Sequence, residues 1–438
     1  MAGGTWVSQN KVRPGVYINF VGEAKPLGSI GEKGVVAMAL PMSWGAARQI
    51  VAIQSGESLA DKLGYDNTAA PTLLAREALK RAKTLLLYRL NEGAPAEAVH
   101  EEMTFTARYP GVRGNDISVV IQTNVDDPAR FDVTTLVAGE VADAQTVEGP
   151  EELVDNAWVV FGGTGPLSPI AGIALTGGSD GAATNQNHID FLSALEVYDF
   201  NTVALASADP SLKALYAAFV KRQREDVGRK VQAVLADYPV ADYEGVISVK
   251  NGVVLSDGTR LDAAKATAWV AGATAGADMS ESLTYQPYDD AVDVDVRYSH
   301  TEIENALKSG QFVFVQNRER AIVEQDINTF RDYSPTKGRA FSKNRVVRVL
   351  DGIANDFKSI FENFYIGKVD NNVDGRNLLK AECVSYLDLL VNEGMIQNFN
   401  SQTDLHVLPG VENDSVYVEL YVQPVDAIEK VYMKVKVK

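Results

Sequence analysis

The sequence predicts an α/β multidomain protein: a mixed α/β core domain carrying an inserted all-β sandwich domain, an α+β C-terminal domain, and extended strand arms at the N- and C-termini. Three patterns lead there. Apolar strand-like runs alternate with helical stripes over residues 31–92 and 177–330, as in a largely parallel or mixed sheet covered by helices on both faces. Between them, over 93–176, helical periodicity is nearly absent and short alternating runs are separated by turn residues, the pattern of a small β-sandwich. From residue 331 to 423, two long amphipathic stripes are followed by strands, which leaves 1–30 and 424–438 as arms. With 438 residues, 46% hydrophobic and 23% charged, the chain has the composition of a folded protein of several domains.

The N-terminal arm holds one alternating run, Val16, Tyr17, Ile18, Asn19 and Phe20, behind the stiff turn Arg13-Pro14-Gly15 and ahead of the breakers Gly22, Pro26, Gly28 and Gly31. It has no obvious local partner, so a distant segment or another chain is the expected one. In the core, Val35–Leu40 and Thr84–Leu90 read as strands around a helix over Thr72–Lys83. The sandwich strands are expected at Met103–Arg108, Ile117–Thr123, Phe131–Val137 and Trp158–Gly162. The core resumes with a helix capped by Asn185 or Asn187 and striped by Ile189, Leu192, Leu195 and Tyr198. Strands at Thr202–Ala206 and Val231–Leu235 flank a helix over Ser211–Arg222. Val246–Val249 and Val253–Leu255 flank Asn251-Gly252, a two-residue hairpin signal. An alanine-rich helix over Leu261–Ala275 and a strand at Phe312–Val315 follow.

In the C-terminal domain Val346, Leu350, Ile353, Phe357, Ile360 and Phe364 step by 4, 3, 4, 3 and 4 residues, one buried helical stripe. Leu379, Cys383, Tyr386 and Leu390 form a second, which makes the single cysteine a core thiol. Val416, Val418, Leu420 and Val422 share a strand face. The chain ends on a strand pattern with Val431, Met433, Val435 and Val437 on one face and Lys430, Lys434, Lys436 and Lys438 on the other.

The net charge of −17 makes the chain a poor general nucleic-acid binder. One cysteine allows no internal disulfide, which fits synthesis in a reducing cytoplasm. The first twenty residues lack the apolar stretch of a signal peptide, and no run approaches the roughly 20 apolar residues of a membrane span, so a soluble protein without a membrane partner is expected. One basic patch stands against this background: Arg331, Lys337, Arg339, Lys343, Arg345 and Arg348, opposed only by Asp332. It has few interleaved aromatics for a nucleic-acid stripe. A solvated face and a docking surface for an acidic protein partner are the remaining readings.

Gly177-Gly178-Ser179-Asp180-Gly181 matches G-x-S-x-G between an apolar run and a helix, part of the context of a nucleophile elbow. A hydrolase using Ser179 needs a histidine, and His188, His300 and His406 carry no motif. The alternative is a glycine-rich junction in which Ser179 and Asp180 make turn hydrogen bonds. Gly162-Gly163-Thr164-Gly165 lacks the Gly-Lys-Ser/Thr of a phosphate loop. Asp289, Asp290, Asp293 and Asp295 form an acidic cluster without the glycine-centred spacing of a calcium loop. No catalytic, cofactor or metal residue is therefore assigned.

The chain resembles the tail sheath proteins of contractile phages and prophages. The resemblance rests on Arg13-Pro14-Gly15-Val16-Tyr17, the segment Leu175–Gly181, Ala273–Thr284 (ATAGADMSESLT), Val323–Phe330 (VEQDINTF), Lys343–Arg348 (KNRVVR) and Ala427–Met433 (AIEKVYM), in that order along most of the chain. It implies a structural protomer, not an enzyme, that polymerises helically around a tail tube and contracts to drive the tube through a target envelope. The implied partners are other copies of the chain, the tube protein, and baseplate and tail terminator proteins, with no nucleic acid, membrane or cofactor. The implied location is a virion, prophage particle or bacteriocin-like tail, assembled in the bacterial cytoplasm. It makes Val16, Tyr17, Ile18 and Phe20, and Val431, Met433, Val435 and Val437, strands donated to neighbours. It also turns the 331–423 domain toward the tube, with Lys337, Arg339, Lys343, Arg345 and Arg348 as candidate contacts.

Overall fold

The computed structural model describes residues 2–4, 15–17 and 34–437. The chain divides into two compact units: Gly31–Asn355 with Pro424–Lys438, and Met1–Ile30 with Asp356–Gln423.

The larger unit is built on a seven-stranded sheet. Its order is Gln311–Phe312, Val246–Val249, Gln232–Ala236, Thr202–Ala204, Val35–Leu40, Thr84–Arg89 and Ile50–Gln54. All neighbours run parallel except the edge strand Ile50–Gln54, which pairs antiparallel with Thr84–Arg89. The strands alternate between two buried faces. Val36, Met38, Leu85 and Leu87 join one core, with Trp269 of the helix Ala263–Gly276. Ala37, Ala39, Leu86 and Tyr88 join the other, with the helices Asn185–Leu195 and Pro210–Glu225.

The alanine-rich helix is explained by close packing. A Cβ at Gly272 would lie 2.2 Å from the Ala78 carbonyl oxygen and one at Gly276 2.0 Å from that of Arg81, so only hydrogen fits where this helix meets Leu73–Leu79. Gly272→Val is expected to destabilise the fold by about 1–3 kcal/mol, measured by urea denaturation.

The sandwich is antiparallel throughout. One sheet has the order Glu140–Val147, Phe131–Val137, Ile117–Thr123, Ile170–Ala174; the other has Val159–Gly163, Met103–Ala107, Glu97–His100. Phe105, Ile117, Val119, Ile121, Val133 and Val159 fill it. Trp44, from the core segment, packs at a tilt against Trp158, 4.8 Å between ring centres.

Three expectations need correction. Asn251-Gly252 is not a hairpin turn: Val246–Val249 belongs to the large sheet, while Val253–Leu255 pairs with Arg260–Leu261 and Ala291–Val294 in a separate one. The Asn251 side chain is buried and both accepts from Phe314 N and donates to Phe314 O, at 2.9 Å each. Gly252 is required because a Cβ there would sit 1.9 Å from Leu261 O. The helix Asn185–Leu195 is capped by Thr184 with Asn187 in a capping box. Its buried face is His188, Phe191, Leu192 and Leu195, whereas Ile189 and Tyr198 are exposed. Lastly, the start of the N-terminal run does have a local partner: Gly15–Tyr17 pairs in parallel with Ala2–Gly4. Ile18 and Phe20 lie outside the described residues.

The long helix Asn344–Phe364 begins in the larger unit and ends in the smaller. Val346, Ile353 and Ile360 of its stripe are buried, while Phe364 at the end is exposed. In the smaller unit the helix Val373–Asn392 buries Leu379, Cys383, Tyr386, Leu387 and Leu390. The Tyr386 hydroxyl donates to the buried Asp356 carboxylate at 2.6 Å. Burial pushes the Cys383 thiol up to about 12, so it stays protonated and inert. Leu405–Pro409 and Val416–Leu420 form an antiparallel two-stranded hairpin.

Candidate assembly site

The C-terminal segment leaves the large unit at one defined point. Beyond the last strand, residues 425–437 form neither helix, strand nor turn. Val425, Ala427 and Glu429 are half-buried, and Asp426, Ile428 and Lys430 between them are exposed. From Lys430 to Val437 every residue is exposed. The strand expected at 431–437 therefore has no partner among the described residues: Val431, Met433, Val435 and Val437 are 76%, 81%, 76% and 94% exposed.

The exit is held by Glu429. Its carboxylate accepts from Thr284 Oγ1 at 2.9 Å and Gln325 Nε2 at 2.6 Å, and pairs with Lys343. Lys343 lies 3.9 Å from Asp426 as well. The Lys343 and Glu429 side chains are each 12% exposed. Burial alone would raise the Glu429 pKa, but hydrogen bonds from Lys343, Gln325 and Thr284, with the Lys343 charge, outweigh it and hold the carboxyl below its ordinary value. A carboxyl so lowered stabilises above its unfolded-state value, and that stabilisation is lost as pH falls through the lowered folded value.

A second polar knot lies behind the first. Asp326, 1% exposed, accepts from Leu283 N and Asn344 Nδ2 and lies 3.5 Å from Arg348 Nη2. Asp326 N donates to Thr284 Oγ1, so one threonine joins both knots. The segments Ala273–Thr284, Val323–Phe330, Lys343–Arg348 and Ala427–Met433 thus meet at the root of the arm. They also border a groove of about 690 Å³ lined by Thr284, Gln325, Lys343, Glu429 and Lys430, with Tyr285 and Arg339.

The basic patch is not one open face. Lys337 pairs with Glu244 at 2.7 Å and lies 4.9 Å from the centre of the Phe330 ring. Lys343 belongs to the Glu429 knot. Arg348 is 7% exposed and donates to Glu281 O at 2.6 Å. Arg339 is exposed and Arg345 half-buried. The sequence reading missed Glu429 because its partners Gln325 and Thr284 are 104 and 145 residues away; the usable signal was a carboxylate on the inward side of an extended alternation.

The catalytic motif is a junction. Ser179 Oγ accepts from Ala94 N at 3.1 Å, and Asp180 accepts from Ser43 Oγ at 2.9 Å and Val112 N at 2.8 Å. Gly181 has φ +66°, and a Cβ there would lie 2.1 Å from Glu92 O. The histidines have other partners: His188 Nδ1 bonds Tyr216 Oη at 2.8 Å, His300 pairs with Glu304 at 3.2 Å, and His406 Nε2 bonds Thr403 O at 3.0 Å. Asp180→Ala is expected to lower stability by about 1–3 kcal/mol, measured by urea denaturation. The four aspartates are separately engaged: Asp289 with Arg81, Asp290 with Lys80, Asp293 with Arg297, and Asp295 with Gly252 N. Among the described residues no group of three or more His, Cys, Asp or Glu is placed to hold a metal.

Four family models match in succession: the tail sheath protein Gp18 domain III N-terminal region over residues 33–90, the phage tail sheath protein β-sandwich domain over 82–180, the central domain over 181–329 and the C-terminal domain over 336–438. The phage-like element PBSX protein XkdK of Bacillus subtilis is 41% identical over 466 residues, covering 100% of both chains. The chain belongs to the phage tail sheath family. The crystal structure of a sheath tail protein from Desulfitobacterium hafniense is 55% identical, with a TM-score of 0.87 over 97% of this sheath protein and 100% of that chain. The helical sheath of the anti-feeding prophage in its contracted state shares the fold at 13% identity, with a TM-score of 0.57 over 98% of this chain and 100% of that one.

Proposed function

We propose that this sheath protein polymerises helically around a tail tube and contracts to drive the tube through a target envelope, neighbours remaining linked by donated strands. The observation that carries the reading is the exposed segment 431–437. Its apolar side chains are 76–94% exposed on alternate positions, with Lys434 and Lys436 between them. Such a segment is stable only when a sheet edge pairs its backbone and covers its apolar face. Among the described residues the hairpin Leu405–Pro409 with Val416–Leu420 has two strands and free edges, and Tyr417 within it and Tyr421 just after it are exposed. We assign that hairpin of a neighbouring copy as the acceptor. The N-terminal segment is the proposed second link, its Gly15–Tyr17 strand pairing with Ala2–Gly4 on one edge and with a neighbour on the other.

Head-to-tail donation with a rotation that does not close a ring builds an open helix. Subunits can then move outward as nearly rigid bodies while the arms keep them connected. The 331–423 domain faces the tube in this reading, and Arg339 and Arg345 are the contacts retained from the basic patch. The particle, phage or phage-like, assembles in the host cytoplasm with baseplate and terminator proteins at its ends.

The test is negative-stain electron microscopy of the purified protein beside a variant lacking residues 1–22. Striated tubes that disappear on truncation are the expected result. Compact particles from both proteins at every concentration would overturn the reading. Arg339→Glu with Arg345→Glu is expected to prevent sheath loading on tubes while leaving thermal unfolding unchanged, and normal loading would remove those two residues from the contact.

A further inference from the structure

We infer that the Glu429 knot is a latch that fixes the pivot and facing of the C-terminal arm, making Glu429 a positioning residue for assembly. The inference rests on the strand-donation reading above. Up to Glu429 alternate residues of the arm, Val425, Ala427 and Glu429, are half-buried, and residues 430–437 are all exposed. The transition therefore falls on a single peptide link, Glu429–Lys430. Without the latch, an exposed chain of this kind explores many directions. Fixing its first residue restricts which face of the 431–437 alternation points toward the next subunit. A one-residue change at the root would exchange the apolar and lysine faces, so the root position sets the register of the donated strand.

The latch is built from three separate elements of the large unit. Thr284 comes from the segment after the alanine-rich helix, Gln325 from the segment after the strand Ala321–Val323, and Lys343 from the start of the long helix. The charged groups around the carboxylate are Lys343, and through it Asp426, with Asp326 and Arg348 in the adjoining knot. Through Lys343 the root is tied to the helix Asn344–Phe364, so a displacement of that helix carries the arm's origin with it.

The test uses the full chain with Val431→Cys carrying a nitroxide, Cys383 being buried and protonated. Glu429→Gln keeps the shape and loses the charge opposite Lys343, and Lys343→Met removes the cation. Both are expected to raise spin-label mobility at position 431 and to raise the critical concentration for tube formation about tenfold, with the far-ultraviolet spectrum of the unassembled protein unchanged. Increased mobility with wild-type assembly would overturn the latch, as would unchanged mobility. A parallel variant lacking 431–438 separates the two ideas: if it assembles normally, strand donation itself fails; if it does not assemble while Glu429→Gln does, only the latch fails.

Discussion

Replacing Asp351 with alanine is expected to lower folding stability by about 3–5 kcal/mol. Asp351 holds Arg224 in a two-pronged pair, Oδ2 to Nη1 at 2.6 Å and Oδ1 to Nη2 at 2.7 Å, with the Arg224 and Asp351 side chains 4% and 15% exposed. Burial alone lowers the Arg224 pKa, but Asp351, with Tyr243 and Glu244, more than offsets it and raises the net value. Removing the carboxylate leaves a guanidinium in the interior with Glu244 3.9 Å away as its nearest remaining anion. The pair also joins the helix Pro210–Glu225 to the long helix Asn344–Phe364. Close by, Asn355 accepts from Lys230 N and donates to Lys230 O, at 2.9 Å each. Together they make the first part of the long helix one body with the core, as rigid-body movement of a subunit requires. Urea denaturation measures the loss, and Asp351→Asn, which keeps the shape and a neutral acceptor, is expected to lose less. A loss below about 1 kcal/mol from alanine would show that this pair contributes no more than a surface ion pair.

Deleting residues 431–438 is expected to abolish tube formation and leave the folded monomer unchanged. The deleted residues are exposed throughout their described length and begin after the Glu429 latch, so the monomer loses no buried contact. The assembly loses every backbone hydrogen bond that the donated strand contributes. Sedimentation and electron microscopy read the assembly, and circular dichroism melting reads the monomer. An unchanged melting curve with no tubes is the expected pair of results. A large drop in melting temperature would mean that the segment packs on its own chain.

Much of this architecture was legible because its residues carry strong periodicity. Val35–Leu40 and Thr84–Arg89 are apolar throughout because both faces are covered, and Leu379, Cys383, Tyr386 and Leu390 repeat at helical spacing. Two of the strands not expected from the sequence have a weak pattern. Glu140–Val147 is an edge strand that buries only Val147. Leu405–Pro409 contains His406 and Pro409, and buries only Leu405. Asn251-Gly252 misled because local turn chemistry is indistinguishable from an asparagine that bonds a distant strand, here Phe314. At the candidate site the alternation of Val431 to Val437 was visible, since an unpaired strand still shows its period. The latch was not, because its partners come from three distant segments. Nor could charge alone reveal that Lys337, Lys343 and Arg348 already have partners within the chain.

Photo-cross-linking of assembled tubes tests strand donation most directly. Val435→Cys is labelled with a photoactivatable maleimide, and labelled chains are mixed with isotopically heavy chains before assembly. Strand donation predicts light–heavy cross-links from position 435 to peptides within 405–420, present in tubes and lost on disassembly. Cross-links confined to the same chain, or inter-chain cross-links that avoid the 405–420 hairpin, would contradict it.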